Sequence, residues 1–206
     1  MREPVQMIPP APALNGGGSP ASVAYPLDEF YARRGLSLPP LEVVEPASIP
    51  EPYRSLLVHE RDMTSTLENF HQAGLHLRLV SRQQREDEYF REVVLVLDET
   101  EAPVEFGAIR ITLARFPAAA RAAILEERFP LGHILKEFSI NYLSRPKSFV
   151  RLASDKFISR LLNLPGVHFL YGRRNSLLNS AGQSLAEIVE ILPPVSVPSG
   201  VARKTS

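Results

Sequence analysis

The segment at residues 89–98 constrains the fold most, because it has the pattern of a β-strand that is apolar on both faces. Such a strand lies inside a sheet that is covered on both sides. Arg91 shares one face of this strand with Tyr89 and Val93. A guanidinium on an apolar face is costly unless it has a partner. That partner is either a carboxylate of the protein or the carboxylate of a ligand, which the guanidinium fork matches with two hydrogen bonds.

Alternating and helical patterns surround this segment and predict an α+β fold. Helices grouped apart from a meander of antiparallel strands are typical of that class. The predicted helices cover residues 53–60, 65–74, 117–126 and 155–162, and the other predicted strands cover residues 75–80, 104–113, parts of 139–152, 168–179 and 185–192.

The strand at residues 104–113 changes phase at a glycine. Val104 and Phe106 are apolar at even positions, whereas Ile109 is apolar at an odd position beyond Gly107. A shift of one residue at a glycine is typical of a β-bulge, so the pattern predicts a bulge at Gly107.

Composition divides the chain into three parts. Ten of the 19 prolines lie within residues 1–50. A segment of this kind buries too little apolar surface to offset its ordering entropy, so residues 1–48 are predicted to be a disordered leader. Residues 36–44 could still dock as an extended strand. One domain is predicted over residues 49–194, followed by a flexible tail at 195–206.

Charge and composition exclude several function classes. Lys+Arg and Asp+Glu each number 23, so net charge favours neither nucleic acid nor an anionic membrane. The absence of cysteine excludes thiolate metal sites and fits a reducing compartment, and we expect a cytoplasmic protein. The five histidines lack ligand-like spacing. No phosphate loop, dinucleotide fingerprint or membrane span is found, so neither cofactor nor metal is expected.

Two pairs of charged residues lie in the last two strands. Glu187 and Glu190 fall on opposite faces of one strand, so one can be solvent-facing while the other is a buried acid with a raised pKa. The adjacent residues Arg173 and Arg174 also point to opposite faces, so only one of them can enter a given pocket.

Five stretches of the sequence form a set whose order and approximate spacing are informative. They are residues 56–64 (LLVHERDMT), 91–95 (REVVL) and 171–176 (YGRRNS), Pro130-Leu131-Gly132, and Gly182-Gln183 followed by a Glu and Leu192-Pro193. Together they resemble the chorismate lyases, which release pyruvate from chorismate to leave 4-hydroxybenzoate. The resemblance covers about residues 50–194 and implies an antiparallel, about six-stranded sheet with helices packed on it, enclosing an internal pocket.

The resemblance also implies roles for individual residues. Arg91 matches the arginine that grips the ring carboxylate, and backbone amides near Met63 and Leu131 assist it. Gly107 matches a glycine of the pocket wall. A glutamate on the last strand meets the ring hydroxyl, and this role is assigned to Glu190.

Two assignments within this resemblance stay open. Counting from Gly182 in step with the ubiquinone-pathway enzyme places the catalytic glutamate at Val189. Divergent relatives place their glutamate one residue later, which suits Glu190, and a bulge in this strand would also reconcile the count. Glu187 remains the other choice. Either Arg173 or Arg174 would hold the enolpyruvyl carboxylate.

Two other functions fit the same fold. Effector domains of GntR-type transcription regulators resemble it and bind small ligands without changing them. Residues 1–48 are not expected to form the winged helix-turn-helix domain of such regulators, but an isolated binding module remains possible. A lyase acting on a related enolpyruvyl substrate is the third candidate. In each case the partner is a small aromatic carboxylate.

Overall fold

The computed structural model describes residues 22–195, which form seven strands and six α-helices. The strands are β1 Leu41–Val44, β2 Leu75–Arg85, β3 Glu88–Leu97, β4 Pro103–Thr112, β5 Leu143–Ala153, β6 Phe169–Leu178 and β7 Ser184–Leu192. The helices are α1 Leu27–Arg33, α2 Tyr53–Leu57, α3 Met63–His71, α4 Ala118–Glu126, α5 Leu131–Glu137 and α6 Lys156–Leu161.

All seven strands form one antiparallel sheet in the order β1-β5-β6-β7-β4-β3-β2, with helices packed on it. The α+β class is therefore confirmed. The sheet has one strand more than predicted, because β1 adds to the edge through pairs such as Leu41 with Leu152. It is an open sheet with β1 and β2 as its edges. Among residues 22–195, no helix is long and apolar enough to cross a membrane.

Residues 22–48 differ from the predicted disordered leader. Helix α1 inserts Leu27, Phe30 and Tyr31 into the core, and each is at most 1% exposed. Strand β1 lies within the segment 36–44, for which docking as a strand was the alternative. The prolines and glycines of residues 1–48 lower the average hydrophobicity of this segment, but Leu27, Phe30 and Tyr31 are spaced so that one face of a helix is apolar. Residues 1–21 of the predicted leader and 196–206 of the predicted tail lie outside the described part.

Strand β3 is buried on both faces, as its sequence predicts. One face packs Phe90 and Val94 against a core cluster that includes α1 and α6 residues. The other face carries Tyr89, Arg91 and Val93 beneath the helices α2 to α5. This second face positions the candidate site.

The predicted bulge at Gly107 is wrong. Gly107 pairs in regular register with Val93, and the irregularity lies at Val104, between the Leu95 and Val96 pairs. The phase change arises because β4 is buried on both sides: Phe106 belongs to one core cluster and Ile109 to the other. Apolar residues at both even and odd positions of β4 are therefore explained by burial of both faces, without a bulge at Gly107.

Candidate functional site

A cavity lies between the sheet and helices α3 and α5. Strands β3, β4 and β7 form its floor, and the first turns of α3 and α5 close it from above. Its apolar wall consists of Leu77, Val93, Leu95, Ile109, Leu135, Leu177 and Ile188.

The register of the sheet brings together several residues that the sequence analysis selected. Arg91 pairs with Ile109, which in turn pairs with Ile188, while Gly107 pairs with Glu190. All of these side chains share one face because alternate residues point to the same side of a sheet. The predicted site residues that line the cavity are Met63, Arg91, Gly107, Leu131 and Glu190.

Arg91 is a buried guanidinium without a carboxylate partner. The side chain is 1% exposed, and its Nε and Nη1 atoms make no hydrogen bond. Nη2 donates only a long bond, 3.4 Å, to the carbonyl of Phe129. Burial lowers the pKa of Arg91 to about 10. The carboxylate of Glu127 is bound by Tyr89 and Arg82 instead. Among residues 22–195, no carboxylate is therefore hydrogen-bonded to Arg91, although the negative charge of Glu127 acts on it and raises its pKa.

Glu190 forms a buried ion pair with Arg173 at the other end of the cavity. Their exposed fractions are 4% and 0%. Arg173 also donates to the carbonyl oxygens of Leu57 at 3.1 Å, His59 at 3.0 Å and Arg61 at 3.2 Å. Arg173 thus ties the connection between α2 and α3 to the sheet. Its donors are engaged within the protein, and it is not among the cavity-lining residues.

The opposite face of β6 and β7 carries Arg174 and Glu187. Arg174 Nη2 lies 3.6 Å from a Glu187 carboxylate oxygen, and Glu187 accepts hydrogen bonds of 2.7 Å from the hydroxyls of Ser176 and Ser184. Glu190, not Glu187, is therefore the glutamate on the cavity side. The predicted ligand contact from Arg174 is incompatible with this placement, because adjacent strand residues point to opposite faces.

Strand β7 contains a bulge, which is one of the two ways in which Glu190 fits the resemblance. Leu177 pairs with Ala186, but the next pair joins Leu178 to Ser184, so Leu185 is the extra residue. Both Leu185 and Ala186 point into the same core cluster. The insertion lies between Gly182 and Glu190, where it moves every later residue by one position.

Glu105 is a second cavity carboxylate, which the sequence analysis missed. It is 4% exposed, and its Oε2 atom has no hydrogen-bond partner. Burial, together with the charge of Glu190, raises the pKa of Glu105 well above its ordinary value. Its Oε1 atom lies over Gly107, 2.9 Å from where a Cβ at that position would stand. The available signal was an acid between two apolar residues, Val104 and Phe106, of one strand.

Helices α3 and α5 meet closely above the cavity. The Asp62 carboxylate caps α3 by accepting from the Ser65 amide at 2.7 Å. A Cβ on Gly132 of α5 would stand 2.8 Å from both Asp62 Oδ1 and Thr64 Oγ1, so only glycine permits this approach. Met63 and Leu131 occupy the first helical positions, where the backbone amide has no acceptor within its own helix.

The described residues contain no group of three or more His, Cys, Asp or Glu side chains that could hold a metal ion. Arg91 is the one cationic side chain on the cavity wall as described for residues 22–195, and Asp62, Glu105 and Glu190 are its acids. The cavity is therefore basic at one end and acidic at the other.

Comparisons with solved structures give similarities of fold at low sequence identity. PhnF from Mycobacterium smegmatis is 12% identical with a TM-score of 0.49, covering 83% of this chain and 94% of that one. The effector domain of PhnF is 11% identical with a TM-score of 0.48, covering 64% and 87%. A GntR-family transcriptional regulator from Bacillus cereus is 14% identical with a TM-score of 0.42, covering 62% and 99%. No protein-family model and no curated protein matches the sequence.

Proposed function

We propose that this protein binds a small aromatic carboxylate in the cavity between the sheet and helices α3 and α5. The observation that carries the proposal is the unpaired, buried guanidinium of Arg91. Removing such a group from water is costly unless it gains a charged partner. A ligand carboxylate supplies that partner, because it accepts two parallel hydrogen bonds from a guanidinium.

The rest of the cavity supports a ring-shaped ligand. Aliphatic side chains such as Val93, Ile109 and Ile188 form the middle of the wall, where a ring would pack. The backbone amides of Met63 and Leu131, which have no acceptor within their own helices, would assist Arg91 in holding the carboxylate.

Chorismate lyase activity is the second candidate, and the positions of Arg91 and Glu190 favour it. Arg91 lies on β3 and Glu190 lies two strands away, on β7. The β7 residue in register with Arg91 is Ile188, so Glu190 is displaced from it by two residues along the strand. Strand geometry gives about 12 Å between their Cα atoms, so their side chains can reach the two ends of one ring. The reaction releases pyruvate from chorismate as the ring becomes aromatic, and it needs positioning and management of one proton. Arg91 would hold the ring carboxylate and Glu190 the hydroxyl.

One feature favours binding over this lyase reaction. Chorismate carries a second carboxylate, on its enolpyruvyl group, and either Arg173 or Arg174 was predicted to hold it. Arg174 lies on the opposite face of the sheet. Arg173 is bound to Glu190 and to three backbone carbonyls instead. A single cavity cation, Arg91, matches a monocarboxylate better than a dianion.

Titration calorimetry with benzoate and 4-hydroxybenzoate tests the binding proposal. We expect Arg91→Met to abolish binding and Arg78→Met, a matched change of an exposed arginine on β2, to leave it unchanged. Binding that survives in Arg91→Met would overturn the proposal. Incubation with chorismate, followed by chromatography of pyruvate and 4-hydroxybenzoate, tests the lyase candidate. The lyase candidate is supported if the wild type forms pyruvate and 4-hydroxybenzoate in equal amounts and Arg91→Met forms neither. If the wild type forms no product, binding remains the proposed function.

A further inference from the structure

We propose that the end of the cavity opposite Arg91 receives an amino group, so that the ligand is an amino-substituted aromatic carboxylate. This inference rests on the proposed function, because it assumes that Arg91 holds the ligand carboxylate. It adds the chemical identity of the group at the other end, where Glu105 and Glu190 meet.

The two carboxylates form one acceptor site. Gly107 pairs with Glu190, and Glu105 is two residues from Gly107 on the same face of β4. Diagonal neighbours of this kind have Cα atoms about 7–8 Å apart. The missing side chain at Gly107 leaves the space that the Glu105 carboxylate occupies. Both acids line the cavity, and Glu105 keeps one buried oxygen without any partner.

The charges at this end leave an excess of acid. The groups that act on Glu105 are Glu190 of β7, Arg173 of β6 and Asp62, which precedes α3. Arg173 is matched by Glu190. Asp62 accepts from the Ser65 amide and, at 3.3 Å, from the Tyr142 hydroxyl. Glu105 therefore has no cation of its own, just as Arg91 at the opposite end has no anion. A ligand with a carboxylate and an amino group supplies both partners at once.

The number of donors distinguishes an amino group from a hydroxyl. A hydroxyl donates one hydrogen bond, whereas an amino group donates two and an ammonium group three. Two facing carboxylates can accept more than one hydrogen bond, so they match the two or three donors of an amino or ammonium group better than the single donor of a hydroxyl. A hydroxyl would satisfy both acids only if Glu105 kept a proton and donated it, and this arrangement is the rival that the experiment must exclude.

The experiment compares four probes by titration calorimetry: benzoate, 4-hydroxybenzoate, 4-aminobenzoate and 4-(aminomethyl)benzoate. We expect one of the amino probes to bind at least roughly tenfold more tightly than benzoate, as for a charge-assisted hydrogen bond. Glu105→Gln should remove this preference, so that neither amino probe binds more tightly than benzoate. Glu187→Gln, a matched change on the opposite face of β7, should preserve it.

A second measurement uses only the wild-type protein and so does not depend on the folding of a variant. Because burial raises the pKa of Glu105, its carboxyl group should lose its proton when an ammonium group binds beside it. Binding of 4-(aminomethyl)benzoate at about pH 6 should therefore release protons, measured as a heat that varies with the buffer, and benzoate binding should not.

The outcomes separate the two proposals. Benzoate binding that depends on Arg91, with no gain from either amino group, would overturn the amino-group proposal and leave the proposed function intact. If 4-hydroxybenzoate binds more tightly than both amino probes, the amino-group proposal is likewise overturned and the proposed function stands. If none of the four probes binds, the proposed function fails together with this inference.

Discussion

The carboxylate of Glu105 fills the space that a side chain at Gly107 would need, with its Oε1 atom 2.9 Å from the Cβ position of that residue. Gly107→Ala should push this carboxylate aside, because the end of a glutamate side chain moves more easily than backbone. We expect the affinity for whichever amino probe binds the wild type more tightly to fall roughly tenfold, while the free energy of unfolding falls by only about 1 kcal/mol, the low end of the cost of an added methyl group. Calorimetry and urea unfolding measure the two effects. Unchanged affinity would show that the position of Glu105 does not matter for binding.

Glu105→Gln should change the pH dependence of stability. The folded protein raises the pKa of Glu105, so the unfolded chain loses its proton at a lower pH than the folded one. Stability from this group is complete below the unfolded pKa and is lost as pH rises through the folded pKa. The glutamine is uncharged throughout. The melting temperature of Glu105→Gln relative to wild type should therefore rise as the pH increases above the ordinary glutamate pKa of about 4.3. Glu187→Gln serves as the control, and a flat difference for Glu105→Gln contradicts the assignment.

Arg173→Met should destabilise the protein strongly. It leaves the buried Glu190 carboxylate without its cation and removes donors from the carbonyls of Leu57, His59 and Arg61. Breaking a buried ion pair by removing one partner costs about 3–5 kcal/mol. Denaturant unfolding of the variant measures this loss. The double variant Arg173→Met/Glu190→Leu should recover part of it, since no buried charge is then left alone. A loss below about 1 kcal/mol would mean that solvent reaches the pair.

Phe30→Ala tests whether the residues before position 49 belong to the folded domain. Phe30 is 1% exposed and stacks edge to face on Phe90 of β3, with 6.3 Å between the ring centroids. Truncating a buried phenylalanine costs about 3–5 kcal/mol. Thermal unfolding monitored by circular dichroism measures the effect. Leu36→Ala, at an exposed leucine beyond α1, is the control. Equal stabilities of the two variants would indicate that α1 is not docked in solution.

The burial of a strand was predictable where the sequence of that strand alone indicated which of its faces are apolar. Residues 93–97 are uniformly apolar, which predicted that β3 is buried on both faces and made the charge of Arg91 conspicuous. The opposite placement of Glu187 and Glu190 followed from strand alternation alone. Which of the two faces the cavity depends on how β7 pairs with β4 and β6, and no local pattern contains that information.

Other features depended on contacts that the sequence does not show. The phase change at Gly107 was attributed to a bulge, because burial of β4 on both faces could not be inferred from β4 itself. Glu105 was missed since a single acid in a strand is ordinarily a surface charge. Helix α1 was not predicted, because the prolines and glycines around it led to the whole segment being interpreted as disordered. In each case the deciding partner lies on an element far away in the chain.

Thermal unfolding with and without benzoate tests the central claim, that Arg91 is kept unpaired to hold a carboxylate. At about 100 times its dissociation constant, a ligand adds about 2.7 kcal/mol to the free energy of unfolding. Wild type and Arg78→Met should show this stabilisation, and Arg91→Met should not. Without ligand, Arg91→Met should be as stable as wild type or more stable, by about 1–3 kcal/mol, because it removes a buried charge that has no partner. Equal stabilisation of Arg91→Met by benzoate would contradict the account.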